Sequence, residues 1–92
     1  MITQNDLDKF AITWSQMAER FSAASASLTI LAKSDADMSR QMLQNGTPTD
    51  EMRAIMKTNW QKAYDLLETE YASLTKARDE YKKAKEAFDA QV

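Results

Sequence analysis

Apolar residues recur along the chain at alternating spacings of three and four positions, in two long series. The first series consists of Leu7, Phe10, Trp14, Met17, Phe21, Ala24, Leu28, Leu31, Met38 and Met42. The second consists of Met56, Trp60, Ala63, Leu67, Leu74, Ala77, Tyr81, Ala84 and Phe88. Because an α-helix has about 3.6 residues per turn, each series lies on one face of a helix. The pattern predicts two long helices, with Trp14 and Trp60 among the residues of the core.

A single bend signal separates the two series. Gly46 after Asn45 is suited to a left-handed helix C-cap, and Thr47 before Pro48 is typical of an N-cap followed by proline at the first helical position. The chain holds one glycine and one proline, both in this segment, so little remains for a β-sheet. The sequence therefore predicts an all-α, coiled-coil-like antiparallel hairpin, with a helix over about residues 4–45, a bend at 46–49 and a helix over about 48–90.

Two local signals concern the first helix. Thr3, followed three positions later by Asp6, fits an N-cap with an acidic residue in the first turn. The segment Ser34–Asp37 is the weakest part of the pattern, because Asp35 takes an apolar position and Ser34 could cap a new helix. A continuous helix and a kink or break near Ser34 are both open at this point.

Antiparallel pairing leaves two registers that differ by half a heptad. In the first register Trp14 faces Ala84, whereas in the second it faces Ala77. Phe21 faces Ala77 in the first register and Glu70 in the second. The first register interleaves large and small side chains and places no carboxylate against a ring, so we favour it.

The composition removes most catalytic chemistry. The chain has 92 residues without cysteine or histidine, so it offers no thiol nucleophile and lacks the commonest general base and metal ligand. Asp35 and Glu70 occupy stripe positions, where we expect them to fix register or partner choice rather than to bind a metal. The sequence predicts a non-enzymatic protein with no catalytic residue, cofactor, metal site or small-molecule substrate.

The charge balance and hydropathy exclude further classes of partner. Twelve basic and fourteen acidic residues give a net charge of −2, which disfavours nucleic acid. No apolar run approaches the roughly 20 residues of a membrane span. The first 30 residues lack the features of a secretory signal. We expect one domain over residues 1–92, located in the cytoplasm, with leaderless secretion as the alternative.

The two helices differ in the charge of their outer surfaces. The second is charged over much of its length, whereas residues 21–32 of the first carry no charge. A helix that is buried on one side normally carries charge on the other. Here the outer face holds Ser22, Ala26, Thr29 and Ile30, and we expect these four residues to form a protein interface. The alternative is a face rich in serine and alanine that is simply exposed to water.

A lone hairpin of this length leaves apolar surface exposed. Beside its main stripe the second helix carries Ile55, Tyr64, Leu66 and Tyr71. A homodimeric four-helix bundle would cover these side chains, as would a different helical protein. The sequence therefore predicts a protein–protein interaction module, such as a small adaptor, a chaperone-like accessory or a regulatory subunit. The alternative is a leaderless secreted or structural subunit that builds larger assemblies.

The predicted shape is similar to that of two families of small helical hairpins. ESX-type secreted proteins pair into four-helix bundles and have a Trp-x-Gly bend, whereas Gly46 lacks the preceding tryptophan. Needle subunits of type III secretion have a proline-containing bend and an apolar C-terminal tail, whereas the C-terminal helix here is charged. Each likeness rests on architecture alone and assigns the chain to neither family.

Overall fold

The chain folds into two long helices that lie against each other. The computed structural model describes residues 1–46 and 50–91, which form α1 (Gln4–Asn45) and α2 (Asp50–Ala90). The hairpin measures 69 × 16 × 15 Å, and its described residues contain no strand. The predicted all-α helical hairpin is confirmed.

The first helix begins at the predicted cap. Thr3 has an extended backbone, and its hydroxyl accepts a hydrogen bond from the Asp6 N–H at 3.1 Å. The Asp6 carboxylate in turn accepts from the Thr3 N–H at 3.0 Å. This capping box satisfies two N–H groups that the helix leaves unpaired. The hydrogen bonds from the backbone and then the side chain of Thr3 lower the pKa of Asp6 from its usual value.

Removal of the cap tests this contribution. Replacing Thr3 by alanine should lower the free energy of unfolding by about 1 kcal/mol at neutral pH. Because folding lowers the pKa of Asp6, its stabilising effect is present above the unfolded value of 3.8 and is lost as the pH falls through the folded value. The difference between the wild type and Thr3→Ala, measured by urea denaturation, should therefore shrink in acid.

Thr13 provides the matched control for that substitution. Its hydroxyl donates to the Lys9 carbonyl within the helix, 3.1 Å away, so it caps nothing. We expect Thr13→Ala to change stability by less than about 0.5 kcal/mol at either pH. Equal effects of Thr3→Ala and Thr13→Ala would contradict the cap.

The first helix continues through the segment where a break was open. α1 passes from Ser34 to Asp37 without interruption, so the alternative of a break is wrong. Asp35 is half-buried at its stripe position, and Asp37 forms a surface ion pair with Arg40 at 2.7 Å. Alanine, methionine, glutamine and arginine surround this segment, and their helix preference outweighs one polar residue in the stripe.

Gly46 ends the first helix. It has φ 115° and ψ −170°, and its N–H donates to the Met42 carbonyl at 2.9 Å. The positive φ is a conformation that glycine adopts without steric cost, although this ψ differs from that of the left-handed cap expected from the sequence. The predicted N-cap at Thr47 and Pro48 lies outside the described residues, and α2 is described from Asp50.

The open end of the hairpin is closed by a pair of hydrogen bonds between the chain termini. The Ile2 N–H donates to the Gln91 Oε1 at 2.8 Å, and the Gln91 Nε2 donates to the Ile2 carbonyl at 2.8 Å. These bonds join residues that precede α1 and follow α2, so the two helices run in opposite directions over their full length.

The core between the helices is a narrow seam with small side chains at its deepest positions. Among the described residues, the buried apolar side chains are Leu7, Ala24, Ala77 and Ala84. Larger stripe residues such as Leu28 are only half-buried, and no side chain among the described residues is fully enclosed. Two helices meet along a line, so this seam alone cannot bury the apolar stripes that form it.

Contacts at the centre of the hairpin follow the second register, in which Phe21 lies level with Glu70. Arg20 forms an ion pair with Glu70 at 2.9 Å, and the ring of Phe21 lies 5.6 Å from that of Tyr71. Glu70 is buried at the level of Phe21. The favoured register places Ala77 at that level instead. The favoured register is therefore wrong at the centre of the hairpin; toward the open end Trp14 meets Tyr81, which lies between the partners that the two registers give it. The favoured register keeps a carboxylate away from a ring, but Arg20 supplies the donor that makes burial of Glu70 tolerable.

Candidate protein interface

The four residues that the sequence assigns to an interface lie on the outside of α1. Ser22, Ala26, Thr29 and Ile30 are all exposed, and Ile30 retains 68% of its accessible surface. None of them is needed to hold the hairpin together. Their side chains are therefore accessible to another molecule, and their role in binding stays a prediction.

Helical periodicity divides these four residues between two directions. Successive residues turn by about 100°, so Ser22 and Thr29, seven positions apart, project almost in parallel. Ile30 projects to the other side of α1, with Ala26 between the two directions. Ser25 lies close to the direction of Ser22 and Thr29, nearer to the seam.

Among the described residues, three aromatic ring pairs lie along the hairpin. Two of them join the helices: Trp14 stacks on Tyr81 with ring centroids 5.4 Å apart, and Phe21 contacts Tyr71. The third lies within α2, where Trp60 stacks on Tyr64 at 5.0 Å. Several of these rings stay exposed, with 56% of the surface accessible for Tyr71, 44% for Trp60, and 37% each for Trp14 and Tyr64. The expectation that both tryptophans are core residues is therefore wrong.

The side of the seam on which the tyrosines lie follows from two contacts. Arg20 reaches Glu70 from one side of the seam. Tyr71 is turned by about 100° from Glu70, which places it on the other side. The α1 residues turned to that same side are Ser22, Ser25 and Thr29. These three residues, together with Tyr64 and Tyr71, form one surface, here named the tyrosine face.

The charges at the tyrosine face are distributed unevenly between the helices. Lys57, Arg78 and Lys85 are spaced from Tyr64 and Tyr71 by multiples of seven residues, so they project in the same direction from α2. The α1 residues on this side are uncharged except for Asp8; they are Gln4, Asp8, Ala11, Ser15, Ala18, Ser22, Ser25, Thr29, Ala32, Ala36, Ser39 and Leu43. The corresponding outer positions of α2 add Glu68, Lys82 and Asp89. Arg78 pairs with Asp79 and Lys85 with Asp89, each at 3.3 Å. The α1 side of the face is thus nearly uncharged, whereas its α2 side carries charges of both signs.

A buried carboxylate lies on the other side of the seam. The Glu70 side chain is 8% exposed, and its Oε1 accepts from the Arg20 guanidinium at 2.9 Å. Its Oε2 is buried without a hydrogen-bond partner. A pair of this kind contributes little net stability but strongly disfavours arrangements that separate its members. Glu70 is thus suited to fixing the register, the role that the sequence suggested for it.

Over residues 1–46 and 50–91, no group of three or more acidic side chains is arranged to hold a metal ion. Neither α1 nor α2, as far as it is described, is long and apolar enough to cross a lipid bilayer.

Comparison of the chain with protein-family models, with curated proteins and with solved structures gave no match. The class of protein is therefore defined by its own fold, an all-α helical hairpin. Its accessible apolar and aromatic side chains are the features from which a function can be argued.

The sequence alone does not reveal the tyrosine face as one surface. The seven-residue spacing of Tyr64 and Tyr71 is visible in the sequence, but it indicates only a wider apolar stripe on α2. Joining these rings to Ser22, Ser25 and Thr29 requires the register, which depends on the Arg20–Glu70 pair.

Proposed function

We propose that this chain is a non-enzymatic protein–protein interaction module that acts through helix–helix packing, as an adaptor, a chaperone-like accessory or a regulatory subunit. The observation that supports this role is the uncharged outer surface of α1 over residues 21–32, which adjoins the exposed rings of Tyr64 and Tyr71. Exposed aromatic rings beside an uncharged surface of small side chains favour a contact site.

The exposed area of the chain favours the same role. Its accessible surface is 6961 Å², whereas a folded monomer of 10.5 kDa is expected to expose about 5,400 Å². The excess of about 1,500 Å² is larger than the roughly 800 Å² that each partner buries in a standard interface. A two-helix rod exposes this area because its seam is narrow, and packing against further helices would cover it.

The residues on the outer face of α1 suit a helical partner. Ser22, Ala26 and Thr29 are small, so a second helix backbone can approach α1 closely along them. Ile30 adds an exposed branched side chain that a partner can bury, which is worth about 1.5–3 kcal/mol for complete burial.

A charge placed on this face tests the proposal. Replacing Ala26 by glutamate should weaken the binding of a helical partner to the outer face of α1 at least tenfold, equivalent to about 1.4 kcal/mol, because it would bury a carboxylate against that partner. Affinity capture from native lysate measures this binding, and sedimentation equilibrium gives the mass of the chain alone.

Ala72→Glu is the matched control for that experiment. Ala72 is exposed on α2, opposite the seam, so the same substitution there changes the charge equally without touching α1. We expect Ala72→Glu to bind as the wild type does. A protein that stays a folded monomer at micromolar concentrations and captures no partner would contradict the proposed role.

A second candidate function is that of a subunit in larger assemblies. Apolar side chains exposed toward the bend favour it, since Leu43 keeps 88% of its surface and Ile55 keeps 53%. Contacts made through this end would differ from contacts made through α1. Particles whose mass grows continuously with concentration would support this candidate, whereas discrete particles would favour the interaction module.

A further inference from the structure

We propose that the occupant of the tyrosine face is a second copy of this chain, in a two-fold dimer with both bends at the same end. In this dimer the tyrosines of each α2 pack on Ser22, Ser25 and Thr29 of the other copy. The inference rests on the proposed function, and it specifies the partner and the orientation in which it binds.

Two-fold symmetry allows two ways of packing these faces together. With the axis along the hairpin, α1 of each copy meets α2 of the other and the bends lie together. With the axis across the hairpin, each helix meets its own counterpart and the bends lie at opposite ends. The size and charge of the side chains distinguish the two arrangements.

Side-chain size favours the arrangement with the bends together. Tyr71 lies level with Phe21 in its own hairpin, as their ring contact shows. When the bends coincide, the levels of the two copies coincide as well, so Tyr71 meets Ser22 and Ser25 of the second copy. Tyr64 lies about 10 Å further along α2, toward Thr29 of that copy. Rings then pack on small side chains, which interlocks the surfaces, whereas the other arrangement sets tyrosines on tyrosines and small residues on small residues.

Charge favours the same arrangement. The hydrogen bonds between Ile2 and Gln91 align the two helices at the open end of the hairpin. Asp8 and Lys85 each lie six residues inward from these bonds, so they are at the same height along the hairpin. With the bends together, Lys85 of one copy therefore comes level with Asp8 of the other across the tyrosine face. Within one hairpin Lys85 pairs with Asp89 at 3.3 Å and Asp8 accepts from Gln4 at 3.0 Å, and both side chains are exposed. In the dimer Lys85 can also reach Asp8 of the other copy, and this contact between opposite charges forms twice.

The arrangement with the bends apart brings like charges together. If two α2 helices pack antiparallel about a point midway between Tyr64 and Tyr71, Lys57 of each copy lies opposite Arg78 of the other. Two such repulsive contacts would form in every dimer. Charge complementarity therefore selects the dimer in which α2 faces the nearly uncharged α1.

A distance between spin labels tests the orientation. The chain has no cysteine, so Gln44→Cys introduces a single attachment point on the exposed surface near the bend. With the bends together, the two labels should lie within about 30 Å, because neighbouring helix axes in a bundle are about 8–10 Å apart. With the bends apart they should lie about 55 Å from each other, because about 28 Å of helix separates Gln44 from Ser25 in each copy.

A pair of serine substitutions tests the occupied face. Ser25→Lys places a cation within the tyrosine face, and we expect it to weaken dimerisation at least tenfold. Ser27→Lys is the control, because Ser27 projects to the Arg20 side of α1, where its hydroxyl donates to the Ala23 carbonyl at 3.1 Å. The control should dimerise as the wild type does, and both variants should keep their helical circular dichroism.

Each outcome of these experiments has a defined consequence. A short label distance together with a selective loss in Ser25→Lys supports the dimer. A dimer with a distance near 55 Å overturns the orientation but leaves the proposed binding role intact. A monomer under the labelling conditions overturns the second copy as occupant, and the Ala26→Glu capture experiment then decides whether the chain binds a different protein.

Discussion

Replacing Arg20 by leucine is expected to lower the free energy of unfolding by about 2–3 kcal/mol, because it leaves the buried Glu70 carboxylate without its partner. The Glu70 Oε1 accepts its hydrogen bond from Arg20, and Oε2 has no partner. Loss of a fully buried ion pair partner costs more, about 3–5 kcal/mol, but Arg20 is 59% exposed, so water can enter where its guanidinium lay. Urea denaturation followed by circular dichroism, at one fixed protein concentration, measures the change.

Arg40→Leu is the control for loss of an arginine. Arg40 pairs with Asp37 at 2.7 Å, but both side chains are largely exposed, at 72% and 68%. Exposed pairs of this kind contribute less than about 1 kcal/mol. If Arg20→Leu and Arg40→Leu had the same effect, the carboxylate of Glu70 would not lie in the seam.

Glu70→Leu should have the opposite effect to Arg20→Leu. Leucine at this position completes the apolar stripe of α2 and removes the buried charge, so we expect stability to stay unchanged or to rise by about 1 kcal/mol. The double variant Arg20→Leu/Glu70→Leu should resemble Glu70→Leu, because Arg20 has no buried charge left to satisfy. A double variant as unstable as Arg20→Leu alone would contradict this account.

The elements of this fold are encoded by local signals, and for that reason the sequence predicts them. The alternating spacing of apolar residues depends only on the helical repeat, and the ends of α1 follow from residues within one turn, Thr3 with Asp6 and Gly46. The continuity of α1 through Ser34 was open, because one polar stripe residue weakens the pattern without being a helix breaker.

The register could not be predicted in the same way, because it depends on a contact between residues fifty positions apart. Considered by themselves, the Glu70 carboxylate and the ring of Phe21 make an unfavourable pair, which favours the other register. In the structure the adjacent Arg20 neutralises the carboxylate, and Phe21 meets Tyr71 instead. The apolar stripe repeats every half heptad, so it fits both registers equally well. A single polar pair between the helices is enough to select one of them.

The candidate interface could likewise be predicted only in part from the sequence. The exposure of Ser22, Ala26, Thr29 and Ile30 follows from their positions outside the stripe. Trp14 and Trp60 occupy stripe positions and yet stay partly exposed, because a seam between two helices has too little depth to cover an indole. Their exposure therefore follows from the small number of helices in the fold. The spacing of residues within one helix does not show how many helices will pack around it.

Ala77 lies deep in the seam, and its replacement is the second substitution that we expect to change stability strongly. Ala77 is 5% exposed, so a longer side chain there has no room unless the helices separate. Replacing it by glutamate should lower the free energy of unfolding by about 3 kcal/mol or more, from overpacking and from burial of an unpaired carboxylate. A chain of 92 residues is typically stable by about 5–14 kcal/mol, so this variant should melt at a markedly lower temperature than the wild type.

Ala72→Glu separates burial from every other consequence of the substitution. It makes the same change in the same helix, with the same loss of alanine's helix propensity and the same added charge, but at an exposed position. We expect it to alter stability by less than about 0.5 kcal/mol. The difference between the two thermal transitions, followed by circular dichroism, therefore reports contact between α1 and α2 at Ala77. Equal transitions would mean that the helices do not meet at Ala77, which lies in the seam in either register.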